Sequence, residues 1–137
     1  LPNSGIEKMD NSVSSKLIMN GPNIFSFTLK EIPTNIANCL KKNNLKKFDI
    51  KYFIFHQANK YILETLRDKL KINNNKFVID LNFGNTTSTT IPIALYNLIK
   101  TKKIIPNDNI LLCGFGVGLS WGSTVIKCDD ELINSIK

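Results

Sequence analysis

The chain has 137 residues and a formal charge of +7, with 42% hydrophobic and 21% charged residues. This length fits one domain around one hydrophobic core, and the composition excludes a disordered chain. The positive charge comes almost wholly from lysines scattered along the sequence, since Arg67 is the only arginine. Nucleic-acid binders usually gather basic residues on one face and use arginine to read bases, so we expect no nucleic-acid partner.

No apolar run approaches the roughly 20 residues that cross a bilayer, and residues 1–4 show no signal-peptide pattern. We therefore expect a cytoplasmic protein without membrane insertion. The chain begins without methionine on a polar stretch, which suggests that the N-terminal part of a larger protein precedes it.

The cysteines argue against a metal centre and against disulfides. Cys39, Cys113 and Cys128 are odd in number, widely spaced and accompanied by a single histidine. This pattern fits neither a zinc site nor a disulfide framework and favours a reducing compartment. None of the three lies where a reactive thiolate would be favoured, so we expect packing or surface roles.

The first elements are a polar loop, a short strand and a long helix. Residues 1–15 are polar, and the apolar residues 17–19 precede a turn at residues 20–23. From Phe25 to Leu40, apolar residues recur every three or four positions, as on the buried face of a helix. Pro33 interrupts this pattern, so we expect a kink or two abutting helices.

The rest of the chain alternates strands and helices. Residues 52–55 are apolar on both faces of a pleat, as in a central strand covered on both sides. The last two strands lie too close in sequence for a helical crossover and are predicted to be antiparallel. The predicted architecture is helix, mixed sheet, helix. The expected elements after the central strand are a helix over 62–70, a strand over 77–79, a helix over 91–99 with Pro92 in its first turn, a strand over 109–113, a glycine turn over 114–118 and a strand over 121–127.

Three polar segments follow predicted strands, at the edge where open α/β sheets place their ligands. They are the motif from His56 to Asn59, the turn at Gly84 and Asn85, and the glycine-spaced segment 114–118. Each also has an ordinary structural explanation. A lone histidine can be a hydrogen-bonded core residue, Asn59 a helix cap, Gly84 with Asn85 a plain turn, and the glycine segment a strand connection.

Taken together, these motifs resemble the C-terminal half of β-ketoacyl-acyl-carrier-protein synthase III. The sequence H-Q-A-N is followed after about thirty residues by G-N-T, and then by G-F-G-x-G-L-S-W-G before a final strand. The resemblance runs from Lys16 to Lys127. It implies an α/β fold, one thiolase-like half with three α/β/α layers and a mixed sheet of about five strands, the last antiparallel. The domain over 16–128 would follow a loop or remnant at 1–15 and precede a polar tail at 129–137.

The resemblance also implies a reaction, the decarboxylative condensation of an acyl thioester with a malonyl carrier protein in fatty-acid or related synthesis. His56 and Asn85 would be the second-half members of a Cys-His-Asn constellation, donating hydrogen bonds to the malonyl thioester oxygen. Val117 would supply a backbone amide to the second oxyanion. The cysteine belongs to the N-terminal half, so this chain alone is expected to be inactive.

The resemblance further implies coenzyme A or phosphopantetheine thioesters as substrates, with no permanently bound cofactor and no metal. Expected partners are acyl carrier protein, the N-terminal half and, in the full-length protein, a second copy in a homodimer. Asn59 and Phe115 would contact pantetheine. Tyr61 stands where many relatives carry an arginine, which puts carrier docking in doubt. Lys60, Arg67 and Lys69 lie on one predicted helix and would form a compensating positive patch for the carrier. The alternative is that they form an ordinary solvent-exposed helix face.

Two alternatives remain open. The same fold can transfer an acyl group to an alcohol or amine, with His56 as general base. The chain can also be a non-catalytic basic binding module.

Overall fold

A mixed four-stranded sheet forms the centre of the structure, a computed structural model in which residues 20–116 and 118–136 are described. The elements in chain order are α1 (Gly21–Lys42), β1 (Ile50–Phe55), α2 (Lys60–Leu70), β2 (Phe77–Val78), α3 (Thr90–Lys100), β3 (Asn109–Gly116), β4 (Ser120–Lys127) and α4 (Asp130–Ser135). The strand order is β2-β1-β3-β4. β1 is parallel to β2 and β3, and β3 is antiparallel to β4.

Helices cover both faces of the sheet, because side chains alternate along each strand. Phe53 and Phe55 of β1 share one buried cluster with α1 and α2, whereas Ile54 shares the other with α3. All three side chains are at most 1% exposed. The predicted α/β class with three layers, a mixed sheet and an antiparallel last strand is confirmed.

The apolar spacing located the buried faces of the helices correctly. α2 buries its predicted residues Ile62, Leu63, Leu66 and Leu70, and α3 carries Pro92 in its first turn as expected. Since an early proline sacrifices no internal hydrogen bond, α3 forms without a break. Among the described helices, none is long and apolar enough to cross a membrane.

Of the two outcomes expected at Pro33, a kink or two abutting helices, the second is wrong, because α1 runs through Pro33 as one helix. The missing amide of Pro33 removes the hydrogen bond to the carbonyl of Leu29, at a cost of about 3 kcal/mol. Burial of Ile32 and Ile36, which are 0% and 1% exposed, offsets this cost. Packing against the sheet therefore overrides the local preference for a break.

The sheet has four strands within the described residues rather than about five. The additional predicted strand, residues 17–19, and the predicted loop at 1–15 lie outside that part of the chain. The glycine segment also differs from the prediction, because Gly114 and Gly116 extend β3 and pair with Gly122 and Ser120 of β4. β3 thus ends at Gly116 and β4 begins at Ser120.

The C-terminal residues form a helix instead of a plain polar tail. Asp129 caps α4 by accepting a hydrogen bond from the Leu132 amide at 2.8 Å. Leu132, Ile133 and Ile136 pack against the cluster beneath α3. Cys128, which precedes the helix, is only 1% exposed and belongs to the same cluster. The spacing of Leu132, Ile133 and Ile136 is compatible with a helix. The segment is short and otherwise polar, so the sequence pattern did not predict one.

Gln57 ties the chain after β1 to the chain after β2. Its side chain is 0% exposed. Its Nε2 donates to the carbonyls of Phe55 at 2.7 Å and Val78 at 3.3 Å, and its Oε1 accepts from the Asp80 amide at 2.7 Å. A carboxamide can satisfy all three groups because it carries both donors and an acceptor. The segments that follow two neighbouring strands are therefore fixed to each other beside His56.

Gln57→Leu should lower the free energy of unfolding by roughly 2 to 4 kcal/mol, because it leaves buried backbone groups unpaired. Chemical denaturation followed by circular dichroism measures the change. Asn82→Ala is the matched control, since the exposed Asn82 amide binds only the Asp80 carboxylate, and we expect a change within about 0.5 kcal/mol. A loss for Gln57→Leu as small as that of the control would contradict the structural role of Gln57.

Candidate active site

His56 lies directly after β1, at the carboxyl edge of the parallel strands. Its amide donates to the Cys113 carbonyl at 2.8 Å, which continues the ladder between β1 and β3. The ring is half-buried and meets the Phe115 ring edge-on, with centroids 5.5 Å apart at 84°. On its other side, Nδ1 lies 2.8 Å from the hydroxyl of Thr90. The imidazole is thus held from two directions.

Thr90, the first residue of α3, is the junction of the site. It is 3% exposed. Besides contacting His56, its Oγ1 accepts from the Gln57 amide at 3.3 Å and lies 3.0 Å from the Thr87 carbonyl oxygen. Threonine and serine often cap a helix start through their side chains, and residues 86–90 are all of these two types. The cap residue Thr89 makes no such bond, because its hydroxyl instead donates to the Thr86 carbonyl at 2.9 Å.

Asn85 is exposed in the turn that follows Gly84. Its Oδ1 accepts from the Thr87 amide at 3.0 Å, an arrangement typical of an asparagine turn. Gly84 has a φ of +67°, which favours glycine. Since the amide oxygen of Asn85 faces the backbone, its Nδ2 donor group faces away from the turn.

One short segment therefore engages both predicted catalytic side chains. The amide of Thr87 donates to Asn85, and its carbonyl oxygen accepts from the Thr90 amide and lies 3.0 Å from the Thr90 hydroxyl that contacts His56. Thr87 itself has a φ of +58°, in the left-handed region that β-branched residues rarely adopt. Such strain costs about 1 to 3 kcal/mol and persists only where surrounding contacts fix it. The two side chains are joined through this backbone.

Burial lowers the pKa of His56 from its ordinary value of 6.5, while the Thr87 backbone, which favours the charged ring as its hydrogen-bond acceptor, partly opposes that effect. Removing the ring from water disfavours its charged form. The imidazole is therefore neutral at pH 7 and has one N–H donor and one bare nitrogen.

Asn59 caps α2, as its structural explanation predicted. Its Oδ1 accepts from the Ile62 amide at 2.9 Å, and the residue is exposed. Phe115 is 7% exposed and packs on His56. Contact of either residue with pantetheine stays a prediction. Val117, the predicted source of an oxyanion amide, lies outside the described residues.

The β3–β4 hairpin borders an open cavity of about 450 Å³. Three glycines leave this space free of side chains, while Phe115 and Trp121 form its apolar sides. Phe115 also contacts His56, so one ring borders the cavity and packs on the histidine. The cavity is lined by Gly114, Phe115, Gly116, Ser120, Trp121 and Gly122.

Two of the three cations predicted as a carrier patch have acidic neighbours on α2. Lys60 lies 3.9 Å from the Glu64 carboxylate, and Arg67 lies 2.9 Å from Asp68. The Arg67 side chain is only 20% exposed. Lys69 is exposed and has no ion pair within residues 20–116 and 118–136. Of the three cations proposed as a carrier patch, only Lys69 is therefore both exposed and without an acidic partner among the described residues.

All three cysteines are buried and free. Burial raises the pKa of Cys113 to about 12, so this thiol stays protonated at neutral pH. A protonated, buried thiol is a poor nucleophile. Across the described ranges, moreover, no three His, Cys, Asp or Glu side chains come together as metal ligands.

Two residues of the site were missed in the sequence. Gln57 belongs to the motif but was given no role, although a polar residue two positions after the apolar run 52–55 can signal a buried hydrogen-bonding group. Thr90 is one of five consecutive hydroxyl residues, 86–90. Nothing in that run marks the residue that faces His56, so only the fold could find it.

Comparison with known proteins identifies the family of the chain. The family described as 3-oxoacyl-[acyl-carrier-protein (ACP)] synthase III C terminal matches residues 40–128. The β-ketoacyl-[acyl-carrier-protein] synthase III of Prochlorococcus marinus (strain MIT 9515) is 42% identical over 114 residues, which cover 82% of this chain and 34% of that protein. The Clostridium tetani enzyme of the same name is 41% identical over 128 residues, covering 93% of this chain and 37% of that protein.

Solved structures show the same likeness. The crystal structure of β-ketoacyl-[acyl carrier protein] synthase III from Thermus thermophilus matches with a TM-score of 0.81 and 31% identity, covering 86% of this chain and 37% of that chain. This chain spans about a third of the length of the curated relatives that it matches. The chain therefore belongs to the β-ketoacyl-acyl-carrier-protein synthase III family and corresponds to its C-terminal part.

Proposed function

We propose that this chain is the C-terminal catalytic part of a condensing enzyme, in which His56 and Asn85 hold a malonyl thioester while it loses carbon dioxide. The bond between the malonyl carboxylate and C2 breaks, and its electron pair forms an enolate on the thioester oxygen. The enolate carbon then attacks an acyl group carried on a cysteine. A carbon–carbon bond forms, and the cysteine leaves as a thiolate.

The main support for this proposal is that residues 87–90 form hydrogen bonds with both side chains. The Asn85 oxygen is engaged by the Thr87 amide, and His56 Nδ1 is engaged by the Thr90 hydroxyl. These contacts leave Nδ2 of Asn85 and Nε2 of His56 as the atoms available to a substrate. Two fixed N–H donors are the groups that stabilise negative charge developing on a thioester oxygen.

The neutral state of His56 supports the same role. Because burial lowers its pKa, the ring can donate a hydrogen bond without carrying a full charge. A permanent cation would also bind the malonyl carboxylate before it leaves, which stabilises the ground state as well as the enolate. Two neutral donors favour the enolate selectively.

The nucleophile has to come from outside this chain. Its three cysteines are buried, and the thiol of Cys113, whose carbonyl accepts from the His56 amide, is held protonated. We therefore assign the acyl-accepting cysteine to an N-terminal part, which fits the coverage of only about a third of the curated relatives. Coenzyme A and phosphopantetheine thioesters would be substrates rather than bound cofactors, and the assembled enzyme would be a homodimer.

Acyl carrier protein is the proposed partner for α2. Carrier proteins of this kind present acidic surfaces, and Lys69 and Lys60 offer exposed positive charge. The exposed ring of Tyr61 stacks on Phe25 with centroids 5.3 Å apart. It therefore offers an apolar contact where many relatives have an arginine.

His56→Ala and Asn85→Ala are each expected to lower malonyl-dependent condensation by about two to three orders of magnitude, the usual size for one oxyanion donor. The assay uses this chain joined to an N-terminal synthase III part, as the continuous protein or as a chimera with the Prochlorococcus relative. Release of labelled carbon dioxide from malonyl thioester is measured beside product formation. Decarboxylation also separates this reaction from acyl transfer to an alcohol or amine.

Asn82→Ala serves as the control for those variants, because Asn82 lies in the same loop and its side chain bonds only to Asp80. We expect this variant to retain wild-type turnover. A change below threefold in either His56→Ala or Asn85→Ala would overturn the proposed role of that residue.

The stability of the chain should fall as the pH drops below 6.5. The folded-state pKa of His56 is lowered, so the unfolded chain binds the proton more readily and protonation favours unfolding. The contribution of His56 is complete above 6.5 and is lost as the pH falls through the lowered value. His56→Gln should remove this part of the dependence, as measured by denaturation from pH 7.5 to pH 5. Parallel curves for both proteins would contradict a lowered pKa.

Carrier binding should weaken when the salt concentration rises from low to physiological, since exposed charges are screened over about 8 to 10 Å. Lys69→Ala should weaken binding of acyl carrier protein about two- to fivefold, the effect of one exposed charge pair. Lys102→Ala, which removes an exposed lysine beyond the end of α3, is the control. Calorimetry or surface plasmon resonance measures both, and salt-independent affinity would argue against this docking face.

A further inference from the structure

We infer that Thr90 is a positioning residue whose hydroxyl donates a hydrogen bond to Nδ1 of His56 and thereby places the ring proton on Nε2. The contact is 2.8 Å long, and Thr90 is 3% exposed. This assignment rests on the proposed function, since it explains how His56 becomes a donor toward the substrate.

The neighbours of the Thr90 hydroxyl determine where its single proton goes. The Gln57 amide, 3.3 Å away, can only donate to Oγ1. Two acceptors then compete for the hydroxyl proton, Nδ1 of His56 at 2.8 Å and the carbonyl oxygen of Thr87 at 3.0 Å. Water cannot compete, because the residue is buried.

The Thr87 carbonyl oxygen is the weaker of the two acceptors for the Thr90 hydroxyl proton. It already accepts a hydrogen bond from the backbone amide of Thr90. A neutral imidazole nitrogen is also more basic than an amide oxygen and lies closer to the hydroxyl. The proton therefore goes to Nδ1, which leaves Nε2 as the N–H of the neutral ring.

Threonine suits this task because its side chain has few conformations. A β-branched side chain at the start of a helix is restricted at χ1. Its hydroxyl also accepts from the Gln57 amide, and Gln57 is itself fixed by three hydrogen bonds to the ends of β1 and β2. The orientation of the hydroxyl is thus set by the sheet and not by solvent.

The test uses the fact that His56 is the only histidine in the chain. With ¹⁵N-labelled histidine, the 137-residue chain gives one pair of ring nitrogen signals, whose shifts distinguish a protonated from a bare nitrogen. At pH 7.5 we expect a protonated Nε2 and a bare Nδ1. Thr90→Val, which keeps the shape but removes the hydroxyl, should shift the ring to a mixture of tautomers or to a protonated Nδ1.

Two variants separate this effect from misfolding. Thr90→Ser keeps the hydroxyl and should keep the wild-type tautomer. Thr89→Val removes the neighbouring hydroxyl, which bonds only to the Thr86 carbonyl, and should also leave the ring signals unchanged. A protonated Nδ1 in the wild-type chain, or an unchanged protonated Nε2 in folded Thr90→Val, would overturn the inference.

Turnover gives a second measurement in the assembled enzyme. Thr90→Val should lower the kcat of decarboxylation about 10- to 100-fold with little change in KM, the loss typical when the hydrogen-bond partner that orients a metal-bound histidine is removed. Thr90→Ser should stay within about threefold. If the ring signals behave as expected but His56→Ala retains activity, the tautomer assignment stands and the proposed function fails.

Discussion

The contact between the His56 ring and the Thr90 hydroxyl connects the two parts of the chain on which the site depends. His56 continues β1, the strand buried on both faces, and Thr90 begins α3, which covers one of those faces. A displacement of α3 along the sheet would break this contact and move Asn85 at the same time. The position of one helix therefore fixes both proposed donors, and Gln57 reinforces it by binding the end of β2.

The site also explains why strain is tolerated at Thr87. A threonine with a φ of +58° is unfavourable, yet its amide and carbonyl must face opposite sides to reach Asn85 and Thr90. A relaxed turn would release one of these contacts. The cost, about 1 to 3 kcal/mol, is offset by the hydrogen bonds of the Thr87 amide with Asn85 and of its carbonyl with the Thr90 amide. Preorganisation of this kind removes the need to reorient donors as charge develops on a substrate.

Much of this fold could be predicted from single residues and their spacing. The apolar run 52–55 identified the central strand, and the spacing of Ile62, Leu63, Leu66 and Leu70 identified the buried face of α2. The prediction of two abutting helices at Pro33 failed, because the rule against proline in helices considers only the local backbone, whereas α1 is stabilised by packing against the sheet. The helix at 130–135 was missed because six residues carry too few repeats for a periodic signal. Residue-level rules failed where tertiary contacts or short length decided the outcome.

The candidate site was predictable in its residue types but not in its connections. His56 is the only histidine and Asn85 follows a glycine in a turn after a strand, so motif and resemblance pointed to both residues. The residues that orient them are ordinary: one of five adjacent hydroxyl residues, and a glutamine beside the histidine. Their importance follows from which side of α3 faces β1, a property of the packed sheet. Because the neutral imidazole has one proton and two nitrogens, the chemistry of His56 is decided by the neighbour that occupies Nδ1. A hydroxyl that donates makes Nε2 a hydrogen-bond donor suited to an enolate, whereas a hydroxyl that accepts would make Nε2 a general base suited to deprotonating an alcohol or amine. The same histidine can thus serve either reaction, and the proton of Thr90 selects between them.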